Sequence, residues 1–185
     1  MRKIATNVGI RPASIYYFYE NIEKLFIAAF QQLLNDHFKN LKKILSQNKD
    51  SEVEEIFSAL LHGNVEHHLD DLQSTNAYIS LVTSPIPEIK SYLSNHMLRI
   101  NDWLNESLKS ALIGSYPMMT EAETDKVIKQ WVLIANGVFW GIKLYEGRDF
   151  TEQVELADQM ILTLFHDLER KYGRIRDEWL TEYFE

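Results

Sequence analysis

The segment Ile4-Ala5-Thr6-Asn7-Val8-Gly9-Ile10-Arg11-Pro12-Ala13-Ser14-Ile15-Tyr16-Tyr17-Phe18-Tyr19 decides the reading of this chain. Its apolar residues recur at steps of three and four, which gathers them on one face of a helix, and they do not alternate as a strand would. The spacing predicts a helix over 2–7, a turn at Val8-Gly9-Ile10, and a second helix from Arg11 or Pro12 to Phe18. Pro12 fixes the start of the second helix without losing a needed N–H. Ile4, Ala5, Val8, Ile10 and Ile15 are placed to lock the two helices at a fixed angle, with Gly9 where the backbones crowd. Arg11, Pro12, Ser14, Tyr16 and Tyr17 are left on or near the outer face. Arginine can pair with guanine or phosphate, and Ser and Tyr hydroxyls can reach phosphate oxygens, so this face suits the major groove of DNA.

Working outward, Asn21 is placed to cap a long helix that runs to about Ser46. Its apolar stripe includes Ile22, Leu25, Phe26, Ala29, Leu33, Phe38 and Leu41. Ser51 with Glu54, and Thr120 with Glu123, have the capping-box spacing that opens helices. Between them the pattern predicts a helix ending near Leu72, a short one around 76–82, a break at Ser84-Pro85-Ile86-Pro87, and a helix ended by Gly114 to Pro117. Two long helices follow, about 121–146 and 152–172, closed by Gly147 and Gly173. A further short amphipathic helix is expected around Ile175, Trp179 and Tyr183. The fold class is therefore all-α, with residues 1–46 as a helix-turn-helix head and connecting helix, and 47–185 as a helical body.

A net charge of −8 opposes nucleic-acid binding unless it is unevenly placed. It is uneven. Residues 1–49 carry eight basic side chains against Glu20, Glu23 and Asp36, a net +5, which leaves −13 on the rest. A basic end can approach phosphates while the acidic remainder resists non-specific coating of DNA. The longest apolar candidate, Trp131 to Ile142, is interrupted by Asn136, Gly137 and Gly141 and falls short of the ~18 to 20 residues that span a bilayer. No cysteine is present, which removes disulfides and thiolate metal sites and agrees with a cytoplasmic protein.

The run Ile4-Ala5, Gly9-Ile10, Ile15-Tyr16, Phe18-Tyr19 and Leu25 resembles the DNA-binding signature of the TetR family of transcriptional repressors. The resemblance implies that Pro12, Ala13, Ser14, Tyr16 and Tyr17 face DNA, that the working form is a homodimer on a near-palindromic double-stranded operator, and that a small-molecule inducer releases it. It also implies a lysine where Ile22 stands, for which Lys24 is the substitute, and a complete helix ahead of the first one. Without that wall, Ile4, Val8, Phe18 and Phe26 are expected to be partly wet, and an N-terminally incomplete sequence is the expectation.

In the body, Trp131, Ile134, Val138, Ile142 and Tyr145 share one side of a helix that is apolar nearly all round, and Ile161, Leu164, Phe165 and Leu168 belong to the next. One domain core rarely covers both sides. Trp131, Ile134, Val138, Ile142, Ile161, Leu164, Phe165 and Leu168 are therefore assigned to a two-fold four-helix seam, with Gly137 and Gly141 permitting close approach. Phe57, Leu61, Tyr78, Val82, Tyr92, His96, Ile100 and Trp103 suit an apolar pocket for a flat or amphipathic ligand, an assignment that leans on the family resemblance.

His62, Glu66, His67, His68, Asp70 and Asp71 invite a metal reading, but adjacent histidines point to different faces and no H-E-x-x-H spacing occurs, so no metal site is assigned. Phosphate-binding, dinucleotide and nucleophile-elbow motifs are missing from the sequence; no cofactor and no enzymatic role are assigned. The competing reading is a helical ligand- or protein-binding module without DNA binding.

Overall fold

The structure, a computed structural model, describes residues 1–83 and 87–173. Every regular element in them is a helix: α1 (Arg2–Asn7), α2 (Pro12–Phe18), α3 (Ile22–Gln47), α4 (Val53–Asp70), α5 (Leu72–Val82), α6 (Pro87–Ser115), α7 (Glu121–Leu144) and α8 (Gly147–Tyr172). The class is all-α, with no strand among the described residues, and none of these helices is long and apolar enough to cross a membrane. The short helix expected around Ile175, Trp179 and Tyr183, and Ser84, Pro85 and Ile86 of the expected break, lie outside the described residues.

Local chemistry sets most helix ends. Gly9 adopts φ +69°, the left-handed conformation that a side chain disfavours, and so turns the chain between α1 and α2. Asn21 Oδ1 accepts the Lys24 N–H at 2.9 Å at the start of α3. At α7 the capping box is complete: Thr120 Oγ1 accepts the Glu123 N–H at 3.3 Å, and Glu123 Oε2 accepts the Thr120 N–H at 2.9 Å.

Three ends differ from the sequence expectation. The α4 helix starts at Val53, later than a Ser51 cap requires, and carries Glu54 and Glu55 in its first turn, where acidic groups suit the helix dipole. The α5 helix starts at Leu72 and not near 76, because the Asp71 carboxylate accepts both the N–H and the hydroxyl of Ser74, at 2.9 and 2.6 Å. Gly147 has φ +52° but opens α8 and does not close α7; Tyr145 and Glu146 are extended, and α8 gains a turn with Arg148 donating to Glu152 at 2.7 Å.

The helices gather into two compact units, a different cut from 1–46 and 47–185. The first joins Met1–Lys39 to Asp71–Arg99; the second joins Asn40–Asp70 to the chain from Ile100 on. Leu34, Leu81, Ile89 and Leu93 form the core of the first, flanked by Phe30, Tyr78, Tyr92 and Met97. In the second, α4 packs with α7 and α8 around Phe57, which is fully buried with the rings of Trp131 and Phe165 edge-on at 5.6 and 5.0 Å. Trp131 Nε1 donates to the Phe57 carbonyl at 3.1 Å, so the indole buries its polar tip with a partner. Elsewhere in this unit α3 and α4 meet at Gly63: a Cβ there would lie 2.6 Å from Ile44 Cδ1, and Asn40 Nδ2 donates to the Gly63 carbonyl at 3.2 Å.

Candidate functional site

The α1–α2 pair is built on very little interior. Ala5 and Ile15 are its buried residues, and the turn is tied by the Ile10 N–H to the Ala5 carbonyl at 3.0 Å. Arg11 stands at the N-cap of α2 in extended conformation, Pro12 is its first residue, and Arg11, Pro12, Ala13, Ser14, Tyr16, Tyr17 and Lys24 are all exposed. Tyr17 is 83% exposed and meets Phe18 edge-to-face at 5.0 Å. Of the five residues expected to lock the pair, Ile4 is half-buried, while Val8 (61%) and Ile10 are exposed. Phe18 (74%), Ile22 and Phe26 also reach solvent, which leaves an apolar patch beside the tyrosines.

The pocket residues divide between the units. Tyr78, Val82, Tyr92 and His96 belong to the first, where Tyr78 Oη donates to Met97 Sδ at 3.7 Å and the Tyr78 ring lies 5.9 Å from that of His37. Burial raises the Tyr78 hydroxyl above the usual phenol range, so it stays a neutral donor. Val82 is exposed. Phe57, Leu61, Ile100 and Trp103 belong to the second unit; the first three are buried, and the Lys42 ammonium stands 5.8 Å from the Trp103 ring centre.

The residues assigned to the dimer seam also fall into two groups. Trp131, Val138, Ile161, Phe165 and Leu168 are buried within the single chain, whereas Ile134, Ile142 and Leu164 are half-buried. A second stripe on the same helices faces solvent. Leu133 (74%), Gly137, Leu156 and Met160 join Ile134 and Leu164 in lining a groove of about 700 Å³ along α7 and α8. A Cβ on Gly137 would meet nothing within 4 Å, so packing within the chain does not require that glycine. Leu133 and Leu156 were legible as a further 3–4 spacing along each helix, but that spacing alone cannot say which side faces out.

His62, His68 and Asp71 make separate contacts. His62 Nε2 lies 2.9 Å from both carboxylate oxygens of Asp158 in α8, and Ser58 Oγ donates to the same residue at 3.3 Å. The serine and the histidine each contact the aspartate and not one another, so this trio lacks the nucleophile–base contact that activates a serine. His68 is buried against the Phe139 ring at 4.8 Å, and burial, helped by the nearby charge of His67, lowers its imidazole to about 4. Asp71 caps α5. Among the described residues no group of three or more His, Asp or Glu side chains is arranged to hold a metal ion.

No protein-family model, curated protein or solved structure matches this chain.

Proposed function

We propose that the protein is a ligand-responsive DNA-binding transcriptional regulator of the TetR type, acting in the cytoplasm as a homodimer on a near-palindromic operator. One observation supports the reading: two short helices joined through a left-handed Gly9 leave Arg11, Ser14, Tyr16 and Tyr17 exposed at and along α2. Those side chains supply guanidinium and hydroxyl donors where phosphates and base edges are met. The apolar groove on α7 and α8 is the surface offered to the second copy, and a two-fold reader of DNA needs its two recognition helices about one DNA turn, ~34 Å, apart. An apolar or amphipathic small molecule acts as inducer by favouring the DNA-incompatible spacing of the heads; only its differential affinity for the two forms does work.

Selection of bound sequences from random duplex DNA with the full chain tests this. Enrichment of a two-fold symmetric site is the expected result; no enrichment overturns the reading. The exposed Val8, Phe18 and Phe26 favour one rival, a helical module that binds a ligand or a protein and not DNA. Salt-sensitive binding to random duplex separates the two, because counterion release accompanies phosphate contacts only.

A further inference from the structure

His96 lies in the last turn that α6 contributes to the first unit, and only 6% of it is exposed. Its ring stacks beside Tyr92 at 6.1 Å between centroids, and Arg99 Nη2 lies 3.4 Å from Nδ1. A guanidinium has donors only, so Nδ1 is the acceptor and the ring is neutral, with its proton on Nε2. From α3 the backbone of Leu34 faces the ring, with His37, itself buried, one turn further along. From α5 the titratable neighbour is Tyr78, set against His37 and bonded to Met97 next to His96. Arg99 is the charged group that bears on the ring among the described residues. Around them lie the apolar Leu34, Leu81 and Leu93.

We infer that the His96–Arg99 contact is an acid-sensitive catch in the first unit: a proton taken up at Nδ1 removes the acceptor, sets two positive charges against each other beside an apolar cluster, and loosens the first part of α6 from α3 and α5. Burial and then the guanidinium hold this imidazole below its usual range, so an opened form takes up the proton first. The sign follows. The catch holds above about pH 6.5, where free imidazole is neutral, and gives way as pH falls below it. It acts where α6 passes from one compact unit into the next.

Amide hydrogen exchange of the full chain at pH 7.5 and 5.5, corrected for intrinsic rates, tests the catch. Amides over 27–37, 72–82 and 89–99 are expected to open up to about tenfold more readily at pH 5.5, the limit set by an imidazole that titrates normally once exposed. In His96→Asn, whose amide oxygen can still accept from Arg99 but does not titrate, that dependence is expected to vanish. The pH dependence that His68 gives to α4 and α7 is expected to remain and serves as the internal comparator. No acid effect over 27–37, 72–82 and 89–99 in the wild type, or its persistence there in His96→Asn, would overturn the inference. If His96→Asn does not fold, the imidazole titration followed by NMR decides: a midpoint below 6.5 that rises in Arg99→Met is expected, and a midpoint at or above 6.5, or one unmoved by Arg99→Met, overturns it.

Discussion

Ala5 and Ile15 are what α1 and α2 bury, whereas α7 and α8 bury one full face with α4 and still leave a second apolar face outside. The difference begins with length. Helices of six and seven residues have too few turns to own a core, so their exposed aromatics sit on a thin support. Helices of 24 and 26 residues have room for two faces, and the inner one supplies stability without help from the outer. Chemistry differs too. The exposed Tyr16 and Tyr17 end in hydroxyls, and Arg11 and Ser14 of the same segment are polar and exposed; Leu133, Leu156 and Met160 offer nothing but apolar contact.

The largest test of this contrast is Trp131→Ala, which removes a buried indole and its hydrogen bond to the Phe57 carbonyl. It is expected to cost about 3–5 kcal/mol in chemical denaturation. A loss below about 1 kcal/mol would mean that the inner face is not the source of stability. Next, Met160→Glu places a carboxylate in the groove at a half-exposed position, so the fold is expected to survive while self-association weakens at least a hundredfold, about 3 kcal/mol. Light scattering at micromolar concentration reads it, and an unchanged mass would remove the groove from the dimer seam.

Acid gives the third test. His68 is held to about 4 in the folded chain by burial and then by His67, against about 6.5 when unfolded. The unfolded form therefore binds the proton more readily, and the stability this group contributes is complete above pH 6.5 and lost as pH falls toward 4. The loss is up to about 3 kcal/mol, and denaturation of His68→Leu is expected to be flatter in pH by that amount. The smallest effects belong to the head. Arg11→Ala and Tyr17→Ala are each expected to change sequence preference by about 1–3 kcal/mol, while Tyr16→Phe weakens all sequences alike. Equal effects of all three on every sequence would contradict the division between base and phosphate contacts.

What the sequence made legible was whatever a few adjacent residues decide. Pro12 through its fixed φ, Gly9 through its left-handed turn, and Asn21 and the Thr120–Glu123 pair through bonds spanning three residues each fix a helix end, and each end falls where the pattern placed it. Asp71 stands among histidines and acids that read as a charged helix face, which hides its side-chain cap on the Ser74 N–H. By residue type Gly147 reads as a helix stop, but a left-handed glycine can start a helix as well as end one. The side of α7 that faces inward was not legible, since Trp131 and Val138 on one side and Leu133 on another are equally apolar. The contact that decides it, Trp131 with Phe57, spans 74 residues. The pocket residues met the same obstacle: aromatic spacing along single helices does not reveal that four of the eight gather in each unit.

The meeting of α3 and α4 at Gly63 carries a mechanical consequence. Ile44 sits where any side chain on residue 63 would stand, and Asn40 grips the carbonyl of that same residue one turn away. Sliding either helix along the other would drive Ile44 into the side chains that flank the glycine and strip Asn40 of its acceptor together. At this point the last turns of α3 are therefore held in register with α4 by one filled notch and one hydrogen bond, and a substitution at either residue would release both helices at once.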